Sequence, residues 1–325
     1  MSSNYDAKRK RIFDIYSHDL KKYLQANRKQ VFTSDGEVID QPLYVCPLCL
    51  TFFPENAILG PEPFLTLEHV PPKSVGGKSK ILTCKNCNNI AGAKLDKTLL
   101  HHLQTQPFLT KMPGAAIDAV FKFEENKVFK GTLANQDDKG FLITINPQAF
   151  PHFDQKMRKV FSGGKVDVSF QVPSESAKNQ AYLRIAFLEC FSLFGYDFLF
   201  NKNTEELCKQ LVYGTESILP YSTYGRIKPS VPLKDELISL HVIKEPPELQ
   251  AYLVVFQIKE RRQGNKENIA MIIPGPGEQA WANYLHYGAF SEYGGDLNIK
   301  KIENFTGVAD CQHFGYQKLW DVFLK

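Results

Sequence analysis

Two short segments of the chain decide the fold of the sequence around them. Residues 67–77 are Leu-Glu-His-Val-Pro-Pro-Lys-Ser-Val-Gly-Gly, and residues 81–89 are Ile-Leu-Thr-Cys-Lys-Asn-Cys-Asn-Asn. The first segment ends a strand that starts at Phe64, stops at two prolines and leads into a glycine turn. The second begins as a strand, and apolar residues then recur at helical spacing from Asn89 to Gln104. The predicted order is strand, turn, strand and helix.

Four of the seven cysteines form two Cys-x-x-Cys pairs around these segments. Cys46 and Cys49 precede them, Cys84 and Cys87 lie in the second, and 34 residues separate the pairs. Such pairs are typical of a structural Zn²⁺ site, because each can present two thiolates to one tetrahedral ion. The alternative is two redox or incidental pairs, although a redox Cys-x-x-Cys normally comes singly. The pattern predicts a zinc ion that supports the fold and takes no part in the chemistry.

A carboxylate and a histidine, Glu68 and His69, are adjacent at the end of the first strand, and Asn88 and Asn89 follow the last cysteine. A carboxylate and an amide oxygen suit a Mg²⁺-like ion that keeps positions open for water and phosphate oxygens. A histidine can take the proton from an attacking water. Together these groups suffice for phosphodiester hydrolysis. Taken singly, Glu68 and His69 are also explained as surface residues, and Asn88 as a helix N-cap.

The combined motif resembles the zinc-knuckle branch of the HNH endonucleases, which have the ββα-metal fold, over residues 44–105. The resemblance implies that Glu68 is a metal ligand and that His69 is the general base. It assigns the second ligand of the catalytic Mg²⁺ or Mn²⁺ to Asn88, with Asn89 in reserve. The four cysteines match the ligands of the structural zinc in that family.

Two positions depart from the usual pattern of this family. The acid is more often Asp, so Glu68 must reach the ion with one extra methylene. The residue five before the third cysteine is usually an Asn that orients the histidine, and here it is Ser79. The serine hydroxyl or a backbone carbonyl would have to hold His69 instead.

Basic residues are concentrated at the N-terminal end of the 325-residue chain. Residues 1–110 hold 14 Lys and Arg against 10 Asp and Glu, whereas residues 111–325 hold 25 of each. Residues 8–29 are predicted to form an amphipathic helix with eight basic side chains. These charges fit either a phosphate backbone or an ordinary solvated helix face.

The pattern of residue types along the sequence changes after about residue 110. Strand-like and helical segments follow one another without a recognisable motif, and a largely apolar helix over 176–194 is expected to be central to the core. A short helix is predicted over 316–324. The predicted fold class is α+β: an N-terminal HNH module with a four-cysteine zinc site over residues 1–110, and a mixed α+β domain over 111–325. That second domain is expected to serve substrate selection, regulation by a partner, or oligomerisation.

The protein is predicted to be a metal-dependent endonuclease that cleaves nucleic acid, with double-stranded DNA as the favoured substrate. Modular nucleases of this kind often resemble restriction or anti-phage effectors, and such a role is included in the prediction. The alternative is a catalytically inactive zinc-binding adaptor for nucleic acid or protein. With 43% hydrophobic and 23% charged residues, the chain has a globular composition. It has no apolar run of eighteen residues and no signal peptide is recognised, so a cytoplasmic protein without a membrane span is expected.

Overall fold

A computed structural model describes residues 2–123, 128–136, 140–145, 165–213, 238–260, 264–287 and 298–301. These residues form a mixture of helices and antiparallel sheets, so the predicted mixture of α and β structure is confirmed. The helix predicted over 316–324 lies outside the described residues. Among the helices described, none combines the length and the apolar character needed to cross a membrane.

The basic N-terminal segment is a helix, α1, which spans Ser2–Ala26 and so begins and ends earlier than predicted. It ends before Arg28, whose φ of 52° is left-handed and incompatible with a continuing helix. Phe13, Tyr16 and Leu20 on one face are buried in the core. A small sheet of β1 (Leu43–Val45) and β2 (Phe52–Pro54) then encloses the first cysteine pair.

The predicted strand, turn, strand and helix order is found in the next segment. Strands β3 (Leu65–Val70) and β4 (Lys78–Cys84) form an antiparallel hairpin, which is followed by helix α2 (Lys85–Ala91). The single helix predicted over 89–104 is wrong in detail. A π-helical turn at Gly92–Asp96 separates α2 from α3 (Lys97–Leu109).

Two four-stranded antiparallel sheets follow, with strand orders β7-β6-β5-β8 and β11-β10-β9-β12. Along the described chain, α4, α5 and α6 lie between the strands of the two sheets, and α7 lies between β11 and β12. Helix α4 is the predicted central helix. The bounds are β5 Ala116–Phe123, β6 Val128–Gln136, β7 Gly140–Ile145, β8 Val166–Ser169, α4 Glu175–Phe194, α5 Tyr196–Leu199, α6 Lys202–Tyr213, β9 Ile238–Glu245, β10 Ala251–Lys259, β11 Lys266–Pro274, α7 Glu278–Tyr287 and β12 Asn298–Lys301.

One large apolar core joins the two halves of the sequence. It contains side chains of α1, of the β3–β4 hairpin, of α4 and of the β9–β11 strands. Tyr16 of α1 donates a hydrogen bond to the carbonyl oxygen of Ser192, and the Tyr196 hydroxyl accepts one from the Val45 amide. Residues before and after position 110 therefore share this core, and the division at residue 110 stays a prediction about organisation along the chain.

Candidate active site and metal centre

The candidate site is built on the β3–β4 hairpin. Its strands pair in register until a bulge between Glu68 and His69, after which His69 lies opposite Ser79. A bulge bends a strand and changes the direction of its side chains. The extra residue is Lys80 on β4, which has no partner on β3, so Ser79 lies opposite His69. Glu68 and His69 both line the cleft at this bulge.

Two glycines close the turn that brings His69 and Ser79 together. Gly76 has a φ of 100°, which is the left-handed region that side chains disfavour. A Cβ atom on Gly77 would lie 1.4 Å from the carbonyl oxygen of Pro71, so any side chain there would collide with the backbone. The predicted glycine turn is thus required by both the backbone angle and the available space.

Ser79 is the neighbour of His69 in the structure. Its hydroxyl oxygen lies 3.0 Å from Nε2 of the imidazole, within hydrogen-bond distance. If Nε2–H donates to the serine, the basic nitrogen of the neutral ring is Nδ1. Ser79 therefore occupies the place expected for the orienting residue, and it makes its contact through a hydroxyl.

Glu68 is almost completely buried, with 3% of its surface exposed. Its Oε1 accepts a hydrogen bond from Nη2 of Arg184 at 2.9 Å, and its Oε2 accepts one from the Thr83 hydroxyl at 3.0 Å. Burial raises the pKa of Glu68, whereas the charge of Arg184 and the hydrogen bond from Thr83 oppose this increase. Arg184 belongs to α4, and sequence reasoning missed it because no local pattern connects it with Glu68.

Asn88 lines the same cleft, with its Nδ2 donating to the Thr66 hydroxyl at 2.9 Å. Asn89 is exposed and is not part of the cleft lining. The alternative that Asn88 caps a helix is wrong, because the N-cap of α2 is Cys84, whose sulfur accepts from the Cys87 amide. The structure therefore brings Asn88, but not Asn89, to the cleft.

Asp96 is a further acidic residue in the cleft that the sequence did not indicate. Its Oδ1 lies 3.5 Å from Nη1 of Arg184, and burial raises its pKa. A regular helix would place Asp96 about 80° away from Asn88, but a π-turn adds one residue. Eight residues then span nearly two turns, so both side chains reach the same wall. The sequence predicts a regular helix here, and without the π-turn it does not indicate that Asp96 belongs to the site.

The cleft has a volume of about 250 Å³ and is lined by polar groups from the hairpin, α2, the π-turn and α3. Three buried polar atoms in or beside it make no hydrogen bond within the described part of the chain: Ser74 Oγ, Asp96 Oδ1 and Arg184 Nε. Buried polar atoms are normally hydrogen-bonded, and an exception needs an explanation. A bound polar ligand would supply the missing partners. The lining residues are Leu67, Glu68, His69, Pro72, Lys73, Ser74, Asn88, Gly92, Asp96, Lys97 and Leu100.

The four paired cysteines form one compact cluster beside the hairpin. The sulfur atoms of Cys46, Cys49, Cys84 and Cys87 all lie within 4.8 Å of one another, and those of Cys49 and Cys84 are 3.7 Å apart. Four thiolates at about 2.3 Å from a tetrahedral Zn²⁺ would be about 3.8 Å apart. The Cys84 amide also donates to the Cys46 sulfur at 3.4 Å. The four sulfur atoms are therefore close enough to hold one metal ion, and their spacing is compatible with zinc.

Comparison with known proteins finds a family match that covers the hairpin segment. Residues 60–104 match the family model of the HNH endonucleases. The matched segment contains Glu68, His69, Ser79, Asn88 and Asp96, whereas Cys46, Cys49 and Arg184 lie outside it. Searches of curated proteins and of solved structures found no match.

Proposed function

We propose that this protein is a metal-dependent endonuclease that hydrolyses phosphodiester bonds, with double-stranded DNA as its substrate. The observation that carries the proposal is the gathering of Glu68, His69, Asn88 and Asp96 around one cleft, within a segment that matches the HNH endonucleases. A restriction or anti-phage role for such an enzyme remains part of this proposal, as does substrate selection, regulation or oligomerisation through residues 111–325.

The donor set of the cleft fits a hard divalent cation. Glu68, Asn88 and Asp96 offer carboxylate and amide oxygens, which Mg²⁺ and Mn²⁺ prefer. Within the described part of the chain, the buried Oδ1 atom of Asp96 makes no hydrogen bond, and both carboxylates lie beside Arg184. A cation would supply a partner for that oxygen. When bound, it would supply charge neutralisation at the phosphate and the leaving oxygen.

The side chains of the chain itself would divide the remaining work. His69 would accept the proton of the attacking water at Nδ1, and Ser79 would accept a hydrogen bond from Nε2–H and so fix the ring. The Thr66 hydroxyl accepts a hydrogen bond from Nδ2 of Asn88, which would leave the amide oxygen of Asn88 to bind the ion. Because Glu68 is buried, its carboxylate is shielded from water and is oriented by protein side chains.

One observation favours a second candidate, the catalytically inactive zinc-binding adaptor. Both carboxylate oxygens of Glu68 are already engaged, one by Arg184 and the other by Thr83. In an adaptor this arrangement would be permanent, and the hairpin would serve only to support a binding surface. The two candidates therefore differ in whether Glu68 remains available to an ion.

Nicking of a supercoiled plasmid by the purified protein distinguishes these candidates. We expect the nicked form to accumulate with Mg²⁺ or Mn²⁺ and to be absent with EDTA, because the oxygen donors of the cleft need the ion. Double-stranded DNA, single-stranded DNA and RNA of one sequence should be compared in parallel. Binding of any of them without cleavage under all ion conditions would support the adaptor.

We expect Ser79→Ala to lower the cleavage rate about tenfold, because the imidazole keeps its place but loses the group that selects its tautomer. Zinc content and melting temperature should remain close to those of the wild type. The measurement is a single-turnover rate across pH 5.5–9. A rate within twofold of the wild type at every pH would remove Ser79 from the site.

The two ends of α1 should contribute unequally to substrate binding. Lys10 already pairs with Asp14 at 2.6 Å and with Glu55 at 2.8 Å, and Arg9 pairs with Asp6. Lys21, Lys22, Arg28 and Lys29 lie in or just after the last turns and are exposed.

Neutralising these four residues at the C-terminal end of α1 should lower the slope of log affinity against log salt by about two, which corresponds to the loss of about two phosphate contacts at about 0.9 each. The matched variant with Lys8, Arg9, Lys10 and Arg11 neutralised should change it by less than one. Superimposable slopes for both variants and the wild type would leave α1 with a structural role only.

A further inference from the structure

Helix α4 contacts the hairpin through two buried ion pairs. Arg184 donates to Glu68 at 2.9 Å, and Lys80 donates to both carboxylate oxygens of Glu189 at 2.9 and 2.7 Å. Each of the four side chains is at most 9% exposed. Arg184 and Glu189 lie more than 70 residues beyond the segment that matches the HNH endonucleases.

The position of these two pairs along the hairpin is specific. Glu68 directly precedes His69 on β3, and Lys80 directly follows Ser79 on β4. His69 and Ser79 face each other across the two strands at the bulge. The ion pairs therefore anchor each strand one residue away from the His69–Ser79 contact.

We infer that α4 is the positioning element of the site, through Arg184, which orients the Glu68 carboxylate, and Glu189, which fixes β4 at Lys80. This inference rests on the proposed nuclease function of the same cleft. Buried ion pairs are poor devices for stability alone, because apolar residues of similar size often stabilise as well or better. Their directed hydrogen bonds do restrict the orientation of a side chain, which is what a catalytic hairpin needs.

The consequence for the reacting groups follows from the geometry. Without Glu189, the buried ammonium of Lys80 would lose the carboxylate to which it donates two hydrogen bonds, and its rearrangement would displace β4 beside Ser79. Without Arg184, the Oε1 atom of Glu68 would lose its donor, and Asp96 would face Glu68 with no cation between them. Displacements of about 1 Å in an active site can cost about 100-fold in rate.

The test compares charge removal at α4 with a matched change on the same helix. Arg184→Met and Glu189→Gln should each lower kcat by about 30- to 100-fold and leave KM within about twofold, since positioning affects the reacting groups more than binding. Lys178→Met is the control, because Lys178 is equally buried on α4 and, among the described residues, pairs with Glu175 of its own helix. It should change neither parameter.

Hydrogen exchange gives a readout that does not depend on activity. Amides of β3 and β4 should exchange at least tenfold faster in Arg184→Met and Glu189→Gln than in the wild type, while zinc remains at one ion per chain. Unchanged exchange in both variants would overturn the inference. A wild type that cleaves nothing would overturn only the proposed function, and the exchange measurement would still decide the role of α4.

Charge exchange at the second pair separates positioning from folding. Lys80→Glu and Glu189→Lys should each lose activity, whereas the double variant should recover to within about fivefold of the wild type because the pair is restored. If the single variants do not fold, the apolar pair Lys80→Met with Glu189→Leu keeps the site uncharged. A folded apolar variant with at least tenfold lower kcat supports the inference, and wild-type kcat in that variant contradicts it.

Discussion

Cleavage by a His69→Ala variant is expected to be about 1,000-fold slower than by the wild type, because a positioned general base typically contributes about 100- to 10,000-fold. The side chain is only partly buried, so its removal should leave the fold intact. Zinc content and the thermal melting transition should match those of the wild type. The measurement is the single-turnover nicking rate at saturating Mn²⁺.

The chain contains a closely matched control for this variant. His241 on β9 is also partly buried, and its Nε2 lies 3.0 Å from the Ser239 hydroxyl, as His69 Nε2 does from Ser79. His241 is not among the residues that line the cleft. We therefore expect His241→Ala to cleave at the wild-type rate. Wild-type cleavage by His69→Ala, or equal losses in both variants, would contradict the role given to His69.

Replacement of Cys84 by serine is expected to abolish the cooperative folding of the hairpin region. Zinc binding supplies about 10–16 kcal/mol in zinc-finger peptides, which is comparable with the whole stability of a domain. Cys84 also caps α2, and the Cys84 amide is bonded to the sulfur of Cys46. Elemental analysis should find one zinc per chain in the wild type and none in the variant, with loss of the thermal transition.

Cys208 is the control for this replacement, because it is equally buried but lies outside the cluster. Its sulfur donates to the carbonyl oxygen of Pro47, so a serine hydroxyl there would keep an acceptor. Cys208→Ser should retain zinc and lower stability by no more than about 1–3 kcal/mol. Wild-type protein purified without chelator but free of zinc would remove the basis for the cluster.

The hairpin and the cysteine cluster were predictable because their signals are local. A few neighbouring residues are enough to predict the strand before Pro71, the glycine turn at 76–77 and the two cysteine pairs. His69, Asn88 and Glu68 fall at one cleft for the same reason. Ser79, which the sequence marked as a departure, lies beside His69 as its position in the pattern suggested.

The remaining parts of the site depend on structure that no local pattern contains. Arg184 reaches Glu68 across 116 positions of the sequence, through a core that also crosses residue 110. Asp96 reaches the cleft only because of the π-turn. His102 of α3 is buried, and its Nε2 atom lies 2.8 Å from Oε2 of Glu267 on β11. The contacts of Arg184 and His102 depend on tertiary packing, and the position of Asp96 depends on an irregular helical turn.

The shared core also has a consequence for the order in which the chain can acquire its structure. A ribosome adds about 5–20 residues per second, and domains tend to fold as their residues emerge. Here Glu189 and Arg184, which pair with Lys80 and Glu68, are present only after α4 has been synthesised. The same holds for Ser192, whose carbonyl oxygen accepts a hydrogen bond from Tyr16. A nascent chain that ends before α4 therefore has the hairpin and the four paired cysteines but lacks the ion-pair partners on α4. Closing such long loops also slows folding, so assembly of this site is a late event in the biogenesis of the protein.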